Sequence, residues 1–373
     1  MAEQQARYLA LDVFRGMTIC FMIIVNSPGG DISYGPLLHA PWNGFTPTDL
    51  VFPSFLFAVG NAMAFVMHKY EALGDGVFWR KTLKRTFIIF LLGYLMYWFP
   101  FLRESADGSL ELRPIGGTRI LGVLQRIALC YFFASIVVHF GSKKFAVWFS
   151  VFALVGYWVV SYFFGDAPDP YTMTGNAGMK LDLLLFGESH LYHGEGVAFE
   201  PEGLLSTLPS IVNVIAGYLA GDFIRKYGNS YETIAKLMVA GAALMFVALT
   251  WDMAFPINKK LWTPGFVLLT VGLDLLIIST LIYIIELYHY RKWTYFFEVF
   301  GRNPLVIYLL SEVLLITLYL VSIGDWSLQR VFYNFFANFM SPVNASFLFA
   351  FFFMLVCWTA GYFLDKKKIY IKV

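Results

Sequence analysis

Long apolar runs separated by short polar segments extend along the chain from Leu9 to Leu364. A helix needs roughly 20 mostly apolar residues to cross the hydrocarbon core of a bilayer. Ten segments meet this requirement, and we predict spanning helices at residues 9–27, 50–68, 84–101, 120–140, 145–164, 207–225, 234–253, 263–287, 303–322 and 344–364. The pattern therefore predicts an all-α, polytopic transmembrane bundle of about ten helices.

The basic residues are concentrated in alternate connections between the predicted helices, starting with the connection between helices two and three. Connections rich in Lys and Arg remain in the cytoplasm, so we predict cytoplasmic N- and C-termini. The segment 28–49 contains no Lys or Arg, and the segment 165–206 is acidic, with a single lysine. We therefore place both segments on the outer face.

The composition agrees with a membrane protein. Hydrophobic residues make up 58% of the chain and charged residues 14%, whereas soluble proteins contain roughly 25% charged residues. The net charge of +2 is spread over short clusters, and no basic stripe indicates a nucleic-acid partner. We predict one transmembrane domain over residues 1–373, with segments 28–49 and 165–206 covering a site.

Candidate chemistry concentrates at the outer end of the first helix and in the loop after it, where Asn26, His39, Trp42, Asn43 and Asp49 lie among several prolines and glycines. A histidine can exchange protons near neutral pH or attack an acyl group as a neutral imidazole. Asp49 could orient that ring, and Asn26 could stabilise the oxyanion formed from a thioester. A well-ordered surface loop with a hydrogen-bonded histidine is the alternative interpretation.

Polar residues within the predicted spans form a second set of candidates, since ionisable residues inside a membrane are rare and often functional. Interfacial snorkelling explains Arg119 better than Arg126, which lies two turns deeper. The set comprises Arg119, Gln125, Arg126, Asn213, Asp274, Asn303 and Glu312.

Two histidines in the acidic outer segment, His190 and His193, lie close to glutamates in the sequence, a grouping that resembles a metal-binding cluster. Their spacing matches no zinc signature. We predict that the protein uses no metal.

Seven segments carry a family resemblance and occur in the family's order: LDVFRGMTICFMIIVNSPGG, HAPWNGFTPTDLVFPSFLFAVG, RILGVLQRIALCYFF, GESHLYH, FEPEGLLSTLPSIVNVIAGYLAG, PINKKLWTPGFVL and GRNPLVIYLLSEV. Together they cover most of the chain from Leu11 to about Val313. The chain resembles the transmembrane amino-sugar acetyltransferases of the heparan-alpha-glucosaminide N-acetyltransferase family. The combination is much more specific than any single segment.

The resemblance implies a set of catalytic and binding residues. His39 of the H-A-x-W-N-G segment matches the catalytic histidine, and Asn26 and Asp49 match the polar residues associated with it. Residues expected to bind the acceptor are Trp42, Asn43, Gln125, Arg126 and Glu202. The resemblance further implies acetyl-CoA as donor, a sugar amine as acceptor on the far side of the bilayer, and a homodimer.

Because the chain starts directly at the first family helix, we expect it to resemble the compact bacterial branch, in the inner membrane with its active-site loop facing the periplasm. A periplasmic glucosamine-type sugar is then the expected acceptor. The sequence leaves open whether His39 carries the acetyl group or only removes a proton. A secondary transporter of sugars or peptides, and an acyltransferase that moves another acyl group to a glycan, are the alternative functions.

Overall fold

The computed structural model describes residues 8–104 and 109–371. Within them lie two short antiparallel strand pairs, β1 (Leu102–Glu104) with β2 (Leu110–Leu112) and β3 (Ser322–Ile323) with β4 (Trp326–Ser327). All other regular structure is helical: α1 Leu9–Asn26, α2 Val51–Ala64, α3 Met67–Leu73, α4 Asp75–Trp98, α5 Val123–Phe140, α6 Lys143–Phe164, α7 Ala177–Phe186, α8 Leu204–Tyr227, α9 Tyr231–Asp252, α10 Pro264–Ile282, α11 Thr294–Arg302, α12 Pro304–Leu320, α13 Leu328–Ala337 and α14 Pro342–Lys366.

The all-α polytopic bundle is confirmed. Among the described residues, eight helices are long and apolar enough to cross a membrane, or nine if α11 and α12, bent by 84°, form one broken span. The remaining predicted span, at 84–101, corresponds to the C-terminal part of α4. That helix carries an acidic residue and four basic residues in its first eleven positions, which interrupt the apolar run. The predicted cytoplasmic termini concern chain ends, residues 1–7 and 372–373, that lie outside the described residues.

The long acidic segment 165–206 contains α7 and a short 3-10 turn at Glu188–His190. The Asn176 side chain caps α7 by accepting a hydrogen bond of 2.8 Å from the backbone N–H of Met179. On the same helix, Asp182 accepts a bond of 2.9 Å from the backbone N–H of Leu204, the first residue of α8. The segment is therefore packed against the helical bundle.

Two glycines allow α2 and α8 to pack in backbone contact. A Cβ atom added at Gly60 would lie 1.9 Å from the carbonyl oxygen of Val214, and one at Gly217 would lie 2.0 Å from that of Phe57. Small residues permit such close approach between membrane helices. Because α2 begins just after Asp49 and α8 begins just after Glu202, this crossing sets the relative positions of two candidate site residues.

Replacing Gly60 with leucine is expected to lower the melting temperature of the protein in detergent substantially. Overpacking usually costs about 1–3 kcal/mol, and here the atoms that must move belong to the backbone of α8. The matched control is Gly156→Leu, because a Cβ at Gly156 of α6 meets no atom within 4 Å. Equal melting temperatures for the two variants would show that the α2–α8 contact is not tight.

Candidate active site

Polar side chains from distant parts of the chain surround a cavity of about 490 Å³ at one end of the bundle. Its volume falls in the range of small-molecule sites. A smaller cavity of about 150 Å³ shares several of its walls and reaches Met22 and Phe52 within the bundle. The polar residues common to both cavities are Asn26, His39, Glu202 and Lys259.

His39 is oriented by a buried carboxylate. Its Nδ1 atom lies 2.6 Å from Oδ1 of Asp49, the contact predicted from the sequence. The other oxygen of Asp49 accepts hydrogen bonds from the backbone N–H groups of Ala40, at 3.2 Å, and Thr46, at 3.0 Å. Because an ionised carboxylate only accepts hydrogen bonds, the neutral imidazole carries its proton on Nδ1 and keeps a lone pair on Nε2. The ring is 42% exposed, so a reactant in the cavity can reach it.

Lys259 is the functional candidate that sequence reasoning missed. Its Nζ atom lies 3.1 Å from both ring nitrogens of His39 and 3.9 Å from Oδ1 of Asp49. Equal distances to the two nitrogens place Nζ over the ring rather than along the lone pair of either one. Burial lowers the pKa of Lys259, although the carboxylates of Asp49 and Glu202 act in the opposite direction. A lysine with a lowered pKa is a stronger acid than an ordinary one.

Asn43 and its neighbour hold the Lys259 loop against the His39 loop. The side-chain oxygen of Asn43 accepts a hydrogen bond of 3.1 Å from the amide of Asn258, and the backbone N–H of Gly44 donates one of 2.7 Å to the carbonyl of Ile257. Asn258 also closes its own loop by accepting a bond of 2.8 Å from the Leu261 N–H. Asn43, predicted to bind the acceptor, therefore lies where it positions the cavity wall.

Arg119 connects two glutamates at the opposite wall. Its guanidinium donates to Glu200 at 2.8 Å and to Glu202 at 2.6 Å, and it lies over the Tyr97 and Tyr192 rings. Burial raises the pKa of Glu200 to about 7 against the effect of Arg119. At Glu202 burial also acts to raise the pKa, but Arg119 and two further cations outweigh it and lower the pKa. Glu202 is therefore ionised at neutral pH, whereas Glu200 is only partly ionised.

Three other predicted residues lie behind the cavity walls. The Trp42 indole donates a hydrogen bond of 3.0 Å to the carbonyl of Tyr171, which joins the two outer loops. Gln125 packs against Gly93 of α4. The buried Arg126 donates a hydrogen bond of 3.0 Å to the carbonyl of Gly203 and a second hydrogen bond to the hydroxyl of Ser206. Its guanidinium lies over the Trp262 ring. The structure thus brings Asn26, His39, Asp49 and Glu202 together at the cavity.

The two histidines of the acidic segment hydrogen-bond to backbone carbonyls through Nδ1, His190 at 2.8 Å to Thr118 and His193 at 3.0 Å to Leu191. In the part of the chain that the structure describes, no group of three or more His, Cys, Asp or Glu side chains could hold a metal ion. These histidines therefore hold the outer segment in place around Tyr192, which lines the cavity.

Fold and site together define a polytopic membrane protein with a carboxylate–histidine pair and a lysine in a cavity at one end of its helices. The chain is 28% identical over 370 residues to mouse heparan-alpha-glucosaminide N-acetyltransferase, a match that covers 83% of this chain and 54% of that protein. With the human protein of that name it is 28% identical over 369 residues, 82% of this chain and 53% of the human one. No protein-family model matches.

These matches support a family-level relationship to the N-acetyltransferases of that name. The chain spans about half the length of the curated relatives it matches.

Proposed function

We propose that the protein is a transmembrane N-acetyltransferase that moves an acetyl group from acetyl-CoA to the amine of a glucosamine-type sugar. The observation that carries this proposal is the position of His39 between Asp49 and Lys259 in an accessible cavity. The names of the two relatives supply the class of donor chemistry and acceptor. We further propose that acetyl-CoA comes from the cytoplasm of a bacterium and that the sugar is in the periplasm.

His39 is the proposed proton acceptor or acyl acceptor. In the direct route, Nε2 takes a proton from the sugar ammonium, and the freed amine attacks the thioester carbon. In the two-step route, Nε2 itself attacks that carbon, and the amine then displaces the imidazole. In both, a C–N bond forms at the carbonyl carbon, the C–S bond breaks, and Asp49 stabilises the positive charge that develops on the ring.

Asn26 and Lys259 are proposed to stabilise the charges that develop on the donor. The tetrahedral intermediate carries an oxyanion, which a pre-positioned amide or ammonium N–H stabilises strongly in a cavity of low dielectric. The CoA thiolate then leaves and needs a proton. Lys259 can supply it, because burial makes its ammonium more acidic. The neutral lysine then accepts a proton from the sugar nitrogen, which returns Lys259 to its charged form in both routes. Glu202, held by Arg119, is proposed to accept a hydrogen bond from a sugar hydroxyl.

Replacing Lys259 with methionine is expected to reduce kcat for acetyl transfer roughly ten- to a hundredfold. The change removes the positive charge and the proton donor while keeping an unbranched side chain, and Lys259→Arg should recover part of the charge effect without the proton transfer. The control is Lys236→Met, an exposed lysine paired with Glu232 on α9. A kcat equal to that of wild type in Lys259→Met would show that Lys259 takes no part in the reaction.

The function itself is tested with purified protein, labelled acetyl-CoA and glucosamine. Label in N-acetylglucosamine supports the proposal. If longer acyl-CoA substrates compete better than acetyl-CoA and are themselves transferred, the protein is an acyltransferase of another kind. If no acyl group is transferred and proteoliposomes accumulate unmodified sugar, the protein is a transporter.

A further inference from the structure

The charges around the cavity are unevenly matched. Of its four carboxylates, Asp49 contacts His39 at 2.6 Å, Glu195 pairs with Lys260 at 2.6 Å, and Glu202 pairs with Arg119 at 2.6 Å. The fourth is Glu312 of α12, which lines the cavity without an ion pair to any described residue. A carboxylate that is partly removed from water is stabilised poorly unless it is paired.

Neutral donors surround Glu312. The side chains of Asn26 and of Tyr308, one turn earlier on α12, line the same cavity beside its carboxylate and interact with it. Neither partner neutralises the charge, so the carboxylate keeps its attraction for a cation in the cavity. Asn26 also lines both cavities with His39. A cation bound at Glu312 would therefore lie beside Asn26, in the same cavity as the imidazole.

Glu202 is the other carboxylate near this position, and it is less suited to bind a cation. Its side chain already accepts a hydrogen bond from Arg119, and its backbone N–H donates a hydrogen bond of 3.1 Å to the carboxylate of Glu200. A second cation at Glu202 would be repelled by Arg119 at close range. Asp49 is committed to His39 and to two backbone N–H groups. Among the described residues, Glu312 is thus the cavity carboxylate that has no cationic partner.

Resting on the proposed function, we propose that Glu312 binds the ammonium group of the acceptor and selects amino sugars over neutral sugars. A sugar with a hydroxyl in place of the amine offers no charge and leaves the carboxylate unpaired. A site built around a charged hydrogen bond discriminates strongly against a ligand that lacks the partner. In the direct route, the ammonium held there gives its proton to Nε2 of His39, which converts it into the nucleophilic amine.

The test compares Glu312→Gln with wild type in steady-state acetylation of glucosamine. Loss of a hydrogen bond between charged groups should raise KM for glucosamine about ten- to a hundredfold, with KM for acetyl-CoA unchanged. Glu312→Asp should recover much of the affinity. Glu232→Gln, an exposed carboxylate of α9, is the control and should match wild type. An unchanged KM for glucosamine in Glu312→Gln would overturn the inference.

A second measurement uses wild type alone and remains decisive if the variants do not fold. Glucose should inhibit glucosamine acetylation at least about tenfold more weakly than galactosamine, because only the amino sugar carries the charge that Glu312 binds. Equal inhibition by the two sugars would overturn the inference. If wild type transfers no acetyl group to any amine, the proposed function fails instead, and the two failures are therefore distinguishable.

Discussion

Replacing His39 with alanine is expected to reduce acetylation of glucosamine roughly a thousandfold. Among the residues that the structure describes, His39 is the only histidine that lines the cavity. The buried carboxylate of Asp49 orients its ring through Nδ1, and the variant loses this imidazole. General acid–base catalysis typically contributes 10²–10⁴-fold to a rate. The measurement is kcat/KM with labelled acetyl-CoA, alongside the melting temperature in detergent.

The control for this variant is His289→Ala. His289 is an exposed histidine between α10 and α11 and lies outside the cavity. It should leave kcat/KM unchanged within twofold or so. A His39→Ala protein that folds normally and keeps wild-type activity would contradict both proposed routes, since each of them requires Nε2.

Replacing Asp49 with asparagine should cost roughly a hundredfold in kcat/KM or more. The amide oxygen can still accept the backbone N–H groups of Ala40 and Thr46, so the loop should keep its shape. The amide nitrogen, however, donates toward Nδ1 and favours the tautomer with its proton on Nε2, which can neither take a proton nor attack a carbonyl. The charge that stabilises the imidazolium is also lost.

Asp166→Asn is the matched control, because Asp166 forms an exposed ion pair with Lys180 in the outer segment. Its kcat/KM should equal that of wild type. If Asp49→Asn retained wild-type activity while His39→Ala did not, the histidine would act without an orienting carboxylate. That result would remove Asp49 from the mechanism and leave it a role in loop structure alone.

The helices were predictable because a segment that spans the bilayer must be apolar and must form its backbone hydrogen bonds within itself. Where that rule is broken, prediction was less accurate. Because the start of α4 is charged, the predicted span began nine residues after the first residue of that helix. The bend between α11 and α12 lies at Asn303 and Pro304, where proline cannot continue the hydrogen bonding of the preceding helix.

The contact between His39 and Asp49 was also predictable, because ten residues within one Pro-rich loop keep the two side chains close. The Lys259 contact was not, since 220 residues separate it from His39 and only the packed fold brings them together. Trp42 and Asn43 share the His39 loop but hold neighbouring loops in place. Motif membership therefore does not separate the residues of this loop that line the cavity from those that hold neighbouring loops in place.

The most direct test of the central proposal uses sealed proteoliposomes with glucosamine trapped inside and labelled acetyl-CoA outside. Wild-type protein should produce labelled N-acetylglucosamine within the vesicles, with no labelled acetyl-CoA in the lumen, and His39→Ala should produce almost none. Vesicles in which wild-type protein makes no labelled product, while unmodified glucosamine escapes through it, would contradict acetyl transfer across the bilayer.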